Sequence, residues 1–349
     1  MKTEILSLLR ERGDYVSGQE LCQRFGVSRT AVWKAVGQLK KEGYSIEAVK
    51  NRGYRLQSAE DVYSQEELTE RMRTNWAGRP VHFFESLGST NIQAKIEAEN
   101  GASHGTLVVA DMQTAGRGRR GRCWSSPSGA NIYFTLILKP DFAPDKASML
   151  TLIMAYAVAR GMEKTLRETV PILPPGKENG GGKAGEAKQK SNSGIKWPND
   201  LVINGKKVCG ILTEMSAERD YIQYVVIGCG INVKEQGFPP EVAQKATYME
   251  AECGWTISRS RLLADIMEAF EEEYTDFLAT ESLEGLKEKY NAMLVNCGRQ
   301  VCVLDPAGEY CGIAKGINAS GELLVELPDK TVREVYAGEV SVRGVYGYV

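Results

Sequence analysis

The sequence predicts a multidomain α+β protein, and three changes of texture along the chain carry that reading. Residues 1–56 hold eleven Lys/Arg against six Asp/Glu and break into short amphipathic helices ending in two short strands. The middle alternates apolar strands with long helices, and beyond Gly298 five short strands follow in about fifty residues. At 349 residues the chain has room for two or three domains and an ample core. Its net charge of −2 hides an asymmetry, because residues 1–56 carry +5 and the remainder −7.

The first element is a helix capped by Thr3, with Ile5, Leu8 and Leu9 inward and a break at Gly13-Asp14. A second short helix turns Leu21, Cys22 and Phe25 inward, and Gly26-Val27 makes a tight turn. Ser28 caps a third helix to about Lys41, whose buried stripe is Ala31, Val32, Ala35, Val36 and Leu39. Tyr44–Val49 and Gly53–Leu56 then form a hairpin with the basic tip Lys50-Asn51-Arg52-Gly53. The whole resembles a winged helix-turn-helix. In that arrangement Ser28 starts the recognition helix, Arg29, Thr30, Trp33 and Lys34 face the major groove, and Lys50 and Arg52 reach phosphates. A three-helix module that binds protein is the alternative, and Trp33 reads equally as a packing residue.

Residues 57–63 read as a linker, and Ser64-Gln65-Glu66-Glu67 as a capping box opening the next helix. Val81–Phe84 is a strand, and Leu87-Gly88-Ser89-Thr90-Asn91 a polar turn into a helix with Ala94 and Ala98. Ser89, Thr90 and Asn91 suit a neutral polar head group, although helix capping explains the two hydroxyls equally. Thr106–Met112 is a buried strand delivering Gln113, Asn131–Leu138 another, and Ala147–Leu166 an apolar helix. Residues 174–194, rich in Pro, Gly, Lys, Glu and Ser, read as a flexible insertion.

Order is expected again at Ile195, where Pro198 ends a strand carrying Lys196. Next come a hairpin of Leu201–Asn204 with Lys207–Met215 turning at Gly205-Lys206, and a strand, Tyr221–Ile227, closed by a Gly228–Asn232 turn. Helices Ser260–Ala279 and Ser282–Met293 finish the middle. The last five strands are Val301–Leu304, Tyr310–Ile317, Leu323–Leu327, Val332–Tyr336 and Val340–Val342. Their turns, at Pro306-Ala307-Gly308, Ser320-Gly321 and Pro328-Asp329, suit a small SH3-like β-barrel.

The sharpest chemical signal is Gly116-Arg117-Gly118-Arg119-Arg120-Gly121-Arg122. Glycines let a backbone approach a ligand, while guanidinium groups are planar, permanent donors to phosphate or carboxylate. The spacing satisfies G-x-G-x-x-G, but turn residues follow where a dinucleotide site needs a helix, and no Lys-Ser/Thr pair completes a phosphate-cradling Walker loop. A solvated basic loop is the bland alternative.

Eight cysteines lack any C-x-x-C pair, and His82 and His104 are the only histidines, which argues against a structural zinc site. Charges interrupt the first apolar stretch, so no signal peptide is expected. The run Ala147–Ala159 is too short to span a bilayer. These features point to a reducing cytoplasm with the cysteines as buried thiols.

Ser89-Thr90-Asn91, Gln113, Gly116–Arg122 with Trp124, Lys196-Trp197-Pro198-Asn199-Asp200 and Gly228-Cys229-Gly230-Ile231-Asn232 stand in the order and approximate spacing of the biotin protein ligases. With the winged helix ahead, the chain resembles the bifunctional ligase and biotin operon repressor type. The resemblance implies a winged helix-turn-helix in 1–60, a class II synthetase-like catalytic domain with a mixed β-sheet in 64–296, and the SH3-like module in 297–349. It implies biotin and ATP as substrates, Mg²⁺ with the ATP, and transfer of biotin to a lysine of biotin carboxyl carrier protein. Ser89, Thr90, Asn91 and Gln113 would hold the ureido ring and neighbouring atoms. Arg117, Gly118 and Arg119 would close over biotin and phosphate. Lys196 would bridge carboxylate and α-phosphate, Arg119 and Lys196 being the catalytic pair, with Gly228, Gly230 and Asn232 close to the ligand. Trp124 would pack against the closed loop, Phe238 is a candidate apolar cover within Val233–Gly254, the stretch that resembles the adenine-covering region, and Asn199 and Asp200 would be structural or near the metal. Operator DNA and a homodimer formed on adenylate binding are the implied partners, with no membrane. A ligase that no longer reads DNA and a non-enzymatic biotin sensor are the rivals.

Overall fold

The computed structural model describes residues 1–41, 43–56, 61–168, 193–305, 308–336 and 341–344. Linker residues 57–60, insertion residues 174–192, Pro306-Ala307 of one expected turn and Val340 of the last expected strand lie outside the described residues. The chain packs as two units, Met1–Arg71 with Ser258–Arg261, and Met72–Ile257 with Leu262–Val349.

In the first unit, helix α1 (Lys2–Arg12) ends at Gly13, whose φ of 61° lets its N–H return to the Leu9 carbonyl at 3.3 Å. Thr3 is not the cap: Met1 occupies that position with no side-chain cap bond, and Thr3 lies inside the first turn. Helix α2 (Gly18–Phe25) is capped by Ser17, and α3 (Arg29–Lys41) by Ser28, which accepts from the Ala31 amide at 3.2 Å. Val32, Ala35, Val36 and Leu39 of α3 pack with Ile5, Leu8, Leu9 and Leu21. Ala31 is only partly covered, and Trp33 is no packing residue, since it is 67% exposed.

Strands β1 (Ile46–Val49) and β2 (Gly53–Leu56) pair antiparallel, and Tyr54 exchanges hydrogen bonds with Val16 at 2.8 and 2.9 Å. A side chain at Gly53 would meet the Val16 carbonyl at 2.1 Å, so this approach demands glycine.

Helix α4 (Gln65–Arg71) makes half of the expected capping box, the Glu67 amide donating to Ser64 Oγ at 3.3 Å. The Glu67 carboxylate cannot complete the box because it turns inward, 1% exposed, to Arg10 and Arg71 and to the Tyr44 hydroxyl at 2.5 Å. Burial pushes this carboxyl up, but the hydrogen bonds from Arg10 and Tyr44 and the charge of Arg71 outweigh it and hold it below the ordinary glutamate value. Its stabilisation is therefore present above the ordinary carboxylate range and is lost as pH falls through the depressed value. Glu67→Ala removes the carboxylate shared by Arg10, Arg71 and the Tyr44 hydroxyl, leaving Arg10 only Glu70, and is expected to cost about 3 kcal/mol. Hydrogen exchange of the α1 and α4 amides checks this, and the wild type should lose that protection on acidification while the variant shows little further change.

The second unit is built on a seven-stranded mixed sheet, ordered β3-β4-β5-β9-β8-β7-β6. In chain order its elements are β3 (Val81–Leu87), α5 (Thr90–Glu99), β4 (Leu107–Gln113), β5 (Ile132–Leu138), α6 (Met149–Glu168), β6 (Ser193–Lys196), β7 (Asp200–Ile203), β8 (Lys206–Ala217) and β9 (Ile222–Ile231). Only β3 and β4 run parallel, α5 being the crossover between them, and Ala94 and Ala98 of α5 pack on Val108, Ile137 and Val226.

Three expectations change here. Ser193 and Gly194, expected in the insertion, belong to strand β6, and Gly194 fits against Val295 and Met293 where a side chain would clash at 2.4 Å. The β7–β8 turn is Asn204-Gly205, with φ of 50° and 76°, the pairing that a two-residue type I′ hairpin requires. The Gly228–Ile231 run is no turn but the inner part of β9, paired with both β5 and β8.

Short helices α7 (Pro240–Ala243) and α8 (Met249–Cys253) precede the long α9 (Arg259–Thr280) and α10 (Glu284–Met293). Then come β10 (Gln300–Leu304), β11 (Tyr310–Ile317), β12 (Leu323–Glu326), β13 (Val332–Val335) and β14 (Ser341–Gly344), an antiparallel sheet ordered β13-β12-β11-β10-β14. Cys302 and Cys311 face one another across β10 and β11 and form a disulfide, while Cys123 and Cys297 are exposed, so the cysteines are not uniformly buried thiols. No helix among the described residues is long and apolar enough to cross a membrane.

Candidate functional site

A cavity of about 980 Å³ opens over the sheet, lined by the start of α5, the arginine loop, the β6–β7 junction, the inner parts of β8 and β9, and residues 241–246. Arg117, Arg119, Arg120, Arg122, Lys196, Lys207 and Lys245 line it against only Asp200 and Glu241, so the cavity favours anions.

The arginine loop is itself a small hairpin. Gly118 donates to Arg122 O at 2.8 Å and Trp124 to Gly116 O at 2.9 Å, with Arg117 bridging Cys123. A side chain at Gly116 would strike Trp124 O at 2.4 Å, and Arg120 sits in the left-handed region at φ 58°, a conformation that costs about 1 kcal/mol in a non-glycine residue. Arg119 reaches into the site and donates to Asn199 Oδ1 at 2.9 Å. Burial lowers its guanidinium below the ordinary value, with Asp200 opposing and Arg120 and Arg122 adding to the effect. Asn199 in turn donates to Ile211 O at 3.0 Å, so loop, junction and β8 are tied at one residue.

Lys196, 7% exposed, ends β6. The adjoining Trp197 is 1% exposed, takes a bond from its own amide to Asn296 Oδ1 at 3.0 Å, and donates from its indole to Gly321 O at 3.1 Å. The lysine's strand is thus anchored from behind by the C-terminal sheet.

The floor is made by what is missing. In the β8–β9 register Gly210 faces Gly230 and Leu212 faces Gly228. A Cβ on Gly228 would lie 1.8 Å from Asn91 Oδ1, and one on Gly230 would lie 2.3 Å from Trp124 Nε1. The Trp124 indole therefore lies on the sheet, with the Lys207 ammonium 5.3 Å from its ring centroid and Lys207 also 2.5 Å from Asp200.

Asn91 fills the Gly228 space with its amide fully used: Nδ2 donates to Leu212 O at 3.2 Å and Glu214 at 2.8 Å, and Oδ1 accepts from Thr135 at 2.8 Å. Burial pushes the Glu214 carboxyl up, yet the bonds from Lys95 and Asn91 prevail and hold it below the ordinary value. Thr90 donates from both amide and hydroxyl to Gln113 Oε1, and Gln113 donates to Ser126 at 2.9 Å. Ser89 is the N-cap of α5 but makes no side-chain cap bond, so capping does not account for its hydroxyl, which lies at the cavity wall.

Of the residues singled out from sequence, Ser89, Thr90, Asn91, Gln113, Arg117, Gly118, Arg119, Lys196, Gly228 and Gly230 line this one cavity. Asn232 does not: its amide donates to Thr247 O at 3.1 Å and accepts from Gln236. Phe238 does not line it either, the neighbouring cover being Val242 and Ala246. Lys207, Gly210 and Glu214 went unseen; the signal was the period of two in Gly228-Cys229-Gly230 beside Gly210, which marks one bare face on paired strands. Ser28, Arg29, Thr30, Lys34, Lys50 and Arg52 are all exposed in the first unit, with Arg52 4.1 Å from the Tyr15 ring centroid.

No histidine lines the cavity, and burial drives the thiol of Cys229 well above its ordinary value, so that it stays protonated. The site can hold and neutralise anions, and no histidine base lines it beside Cys123, the exposed thiol on its wall.

A bare-floored sheet that gathers seven cations around one cavity, in a chain led by a helix-turn-helix, defines an anion-binding protein with a module of the DNA-binding class. The model of the Biotin/lipoate A/B protein ligase family matches residues 84–232, that of an HTH domain residues 2–55, and that of the biotin protein ligase C-terminal domain residues 297–343. The bifunctional ligase/repressor BirA of Bacillus subtilis is 36% identical over 98% of both chains, and that of Escherichia coli is 26% identical over 97% of this chain and 96% of its own. The biotin protein ligase of Aquifex aeolicus, solved with biotin and ATP, superposes with a TM-score of 0.61 at 26% identity, covering 76% of this chain and 98% of that one. The chain belongs to the BirA family of bifunctional biotin ligase/repressors.

Gly230→Ala drives a methyl into the Trp124 indole on a floor with no slack, and is expected to cost about 1–3 kcal/mol while shifting tryptophan emission. Thermal melts and fluorescence spectra of the full chain check it; an unaltered spectrum would place Trp124 elsewhere.

Proposed function

We propose that this chain is an ATP-dependent biotin protein ligase that also represses transcription in response to biotin. The observation that carries the reading is the convergence of the arginine loop and Lys196 on one cavity over a glycine floor. In the first step a biotin carboxylate oxygen bonds to the α-phosphorus of ATP and the bond to pyrophosphate breaks. In the second a lysine amine of the carrier protein attacks the acyl carbon, AMP leaves, and the amine gives up one proton.

Neither step asks for a nucleophilic side chain. The obstacle is to bring two anions together and then keep water from a mixed anhydride, which makes positioning and charge neutralisation the dominant contributions. Two unit charges about 4 Å apart at an effective dielectric of ~20 interact by roughly 4 kcal/mol, about 10³ in rate if felt only in the transition state. Lys196 is assigned the carboxylate and α-phosphate oxygens, and Arg119 the closure over the anhydride. Ser89, Thr90 and Gln113 are assigned the polar ring of biotin, with Asn91 shaping the floor beneath it. Asp200, a wall carboxylate paired with Lys207, is the residue that would help hold an Mg²⁺ brought in with ATP, which would supply neutralisation of phosphate charge.

The catalytic region is assigned to 64–296, flanked by the DNA-reading module in 1–60 and the C-terminal module in 297–349. The protein is assigned to the cytoplasm. Bound adenylate orders the arginine loop and promotes homodimerisation through the central sheet, and the dimer sets two winged modules on a palindromic operator. Operator DNA and biotin carboxyl carrier protein are its partners.

Lys196→Ala is expected to depress pyrophosphate release by about 10³ while leaving operator binding, assayed with saturating preformed biotinyl adenylate, within twofold. An equal loss of both would make the lysine structural. Arg119→Gly should let the adenylate escape, so that labelled biotin appears on bystander protein lysines; unchanged retention counts against the closure role. Sedimentation with biotin and ATP should show a dimer that either substrate alone does not produce.

A further inference from the structure

Helix α3 presents a face used neither by its unit's core nor by any ion pair. At about 100° per residue, Thr30, Trp33, Lys34, Gly37 and Lys41 fall on one side, opposite the buried Val32, Ala35, Val36 and Leu39. Trp33, 67% exposed, is the most exposed large hydrophobic residue among those described. An indole has one of the largest apolar surfaces a core can use, and here it stands in solvent. One turn on, Gly37 weakens a helix interior without need, because a side chain there would meet nothing within 4 Å. Arg29 and Lys34 beside them pair with no carboxylate among the described residues. Two departures from good helix design, one turn apart and flanked by uncompensated cations, mark a contact surface for an anionic partner.

An indole carries a single donor and no acceptor, so it cannot read a base through paired hydrogen bonds. Along the major groove the apolar group on a base edge is the 5-methyl of thymine. We propose that Trp33 reads a thymine methyl in the major groove, and that Gly37 leaves room for the groove wall while Arg29 and Lys34 hold phosphates. The inference rests on the DNA-binding reading above and extends it to a residue that sets specificity.

The test is selection from a random duplex pool by the full chain with biotin and ATP, run on the wild type, Trp33→Ala and Gly37→Ala. The wild type is expected to enrich a motif with a fixed thymine. Deoxyuridine at that position should weaken wild-type binding about fivefold and leave Trp33→Ala unaffected. Gly37→Ala should bind both the motif and random duplex about tenfold more weakly although its Tm does not fall, an opposition that a purely structural glycine would not produce. Unchanged pyrophosphate release in each variant verifies that the fold is intact. A Trp33→Ala protein that enriches the same motif with the same deoxyuridine penalty overturns the inference alone, and favours a protein partner for this face. A wild type that enriches nothing overturns the DNA-binding reading with it.

Discussion

The site depends on an emptiness held between paired strands. Gly210, Gly228 and Gly230 strip the side chains from one patch of β8 and β9, and the space so made is taken at once by Asn91 and Trp124. Each filler is then fixed by a second set of contacts: Asn91 by Leu212, Glu214 and Thr135, and Trp124 by the Lys207 ammonium over its ring. A methyl group at either glycine has nowhere to go, because the neighbours are locked on both sides. Rigid flooring is what a reaction without a side-chain nucleophile needs, since its rate comes from holding reacting groups where they must be.

Charge enters this frame from above and from one edge. The arginine hairpin is tied at its base through Gly116 to Trp124 and at its tip through Arg119 to Asn199. Asn199 is also bonded to Ile211 on β8, so the guanidinium and the strand that carries the floor share a residue. Lys196 arrives from the opposite end of the sheet on β6. Local chemistry and long-range topology thus meet at one point, and neither suffices alone.

Much of this was legible in the residues. Local signals named the helices of the first unit, the arginine loop and the Lys196 run, because caps, turns and charge spacing act over a few residues. What failed was non-local. Gly228-Cys229-Gly230 looks like a turn to any local rule and is a central strand only because β5 and β8 flank it. Asn232 follows the same run, but the strand's end carries its amide to Thr247 instead of the cavity. Glu67 suits a capping box by spacing, and Arg10, some fifty residues earlier, claims its carboxylate. Asn204-Gly205 was readable as a type I′ turn and was displaced by a single residue.

Trp197 gives the molecule an order of assembly. The indole beside Lys196 is seated on Gly321, which lies 124 positions further along, and its amide on Asn296. During synthesis the strand bearing Lys196 leaves the ribosome well before its own backing exists. A nascent chain halted between residues 231 and 295 therefore holds the whole arginine hairpin and the glycine patch, yet lacks both partners that anchor Trp197. The aim of the lysine ammonium is thus set only once residue 321 has been made, after every residue that lines the cavity.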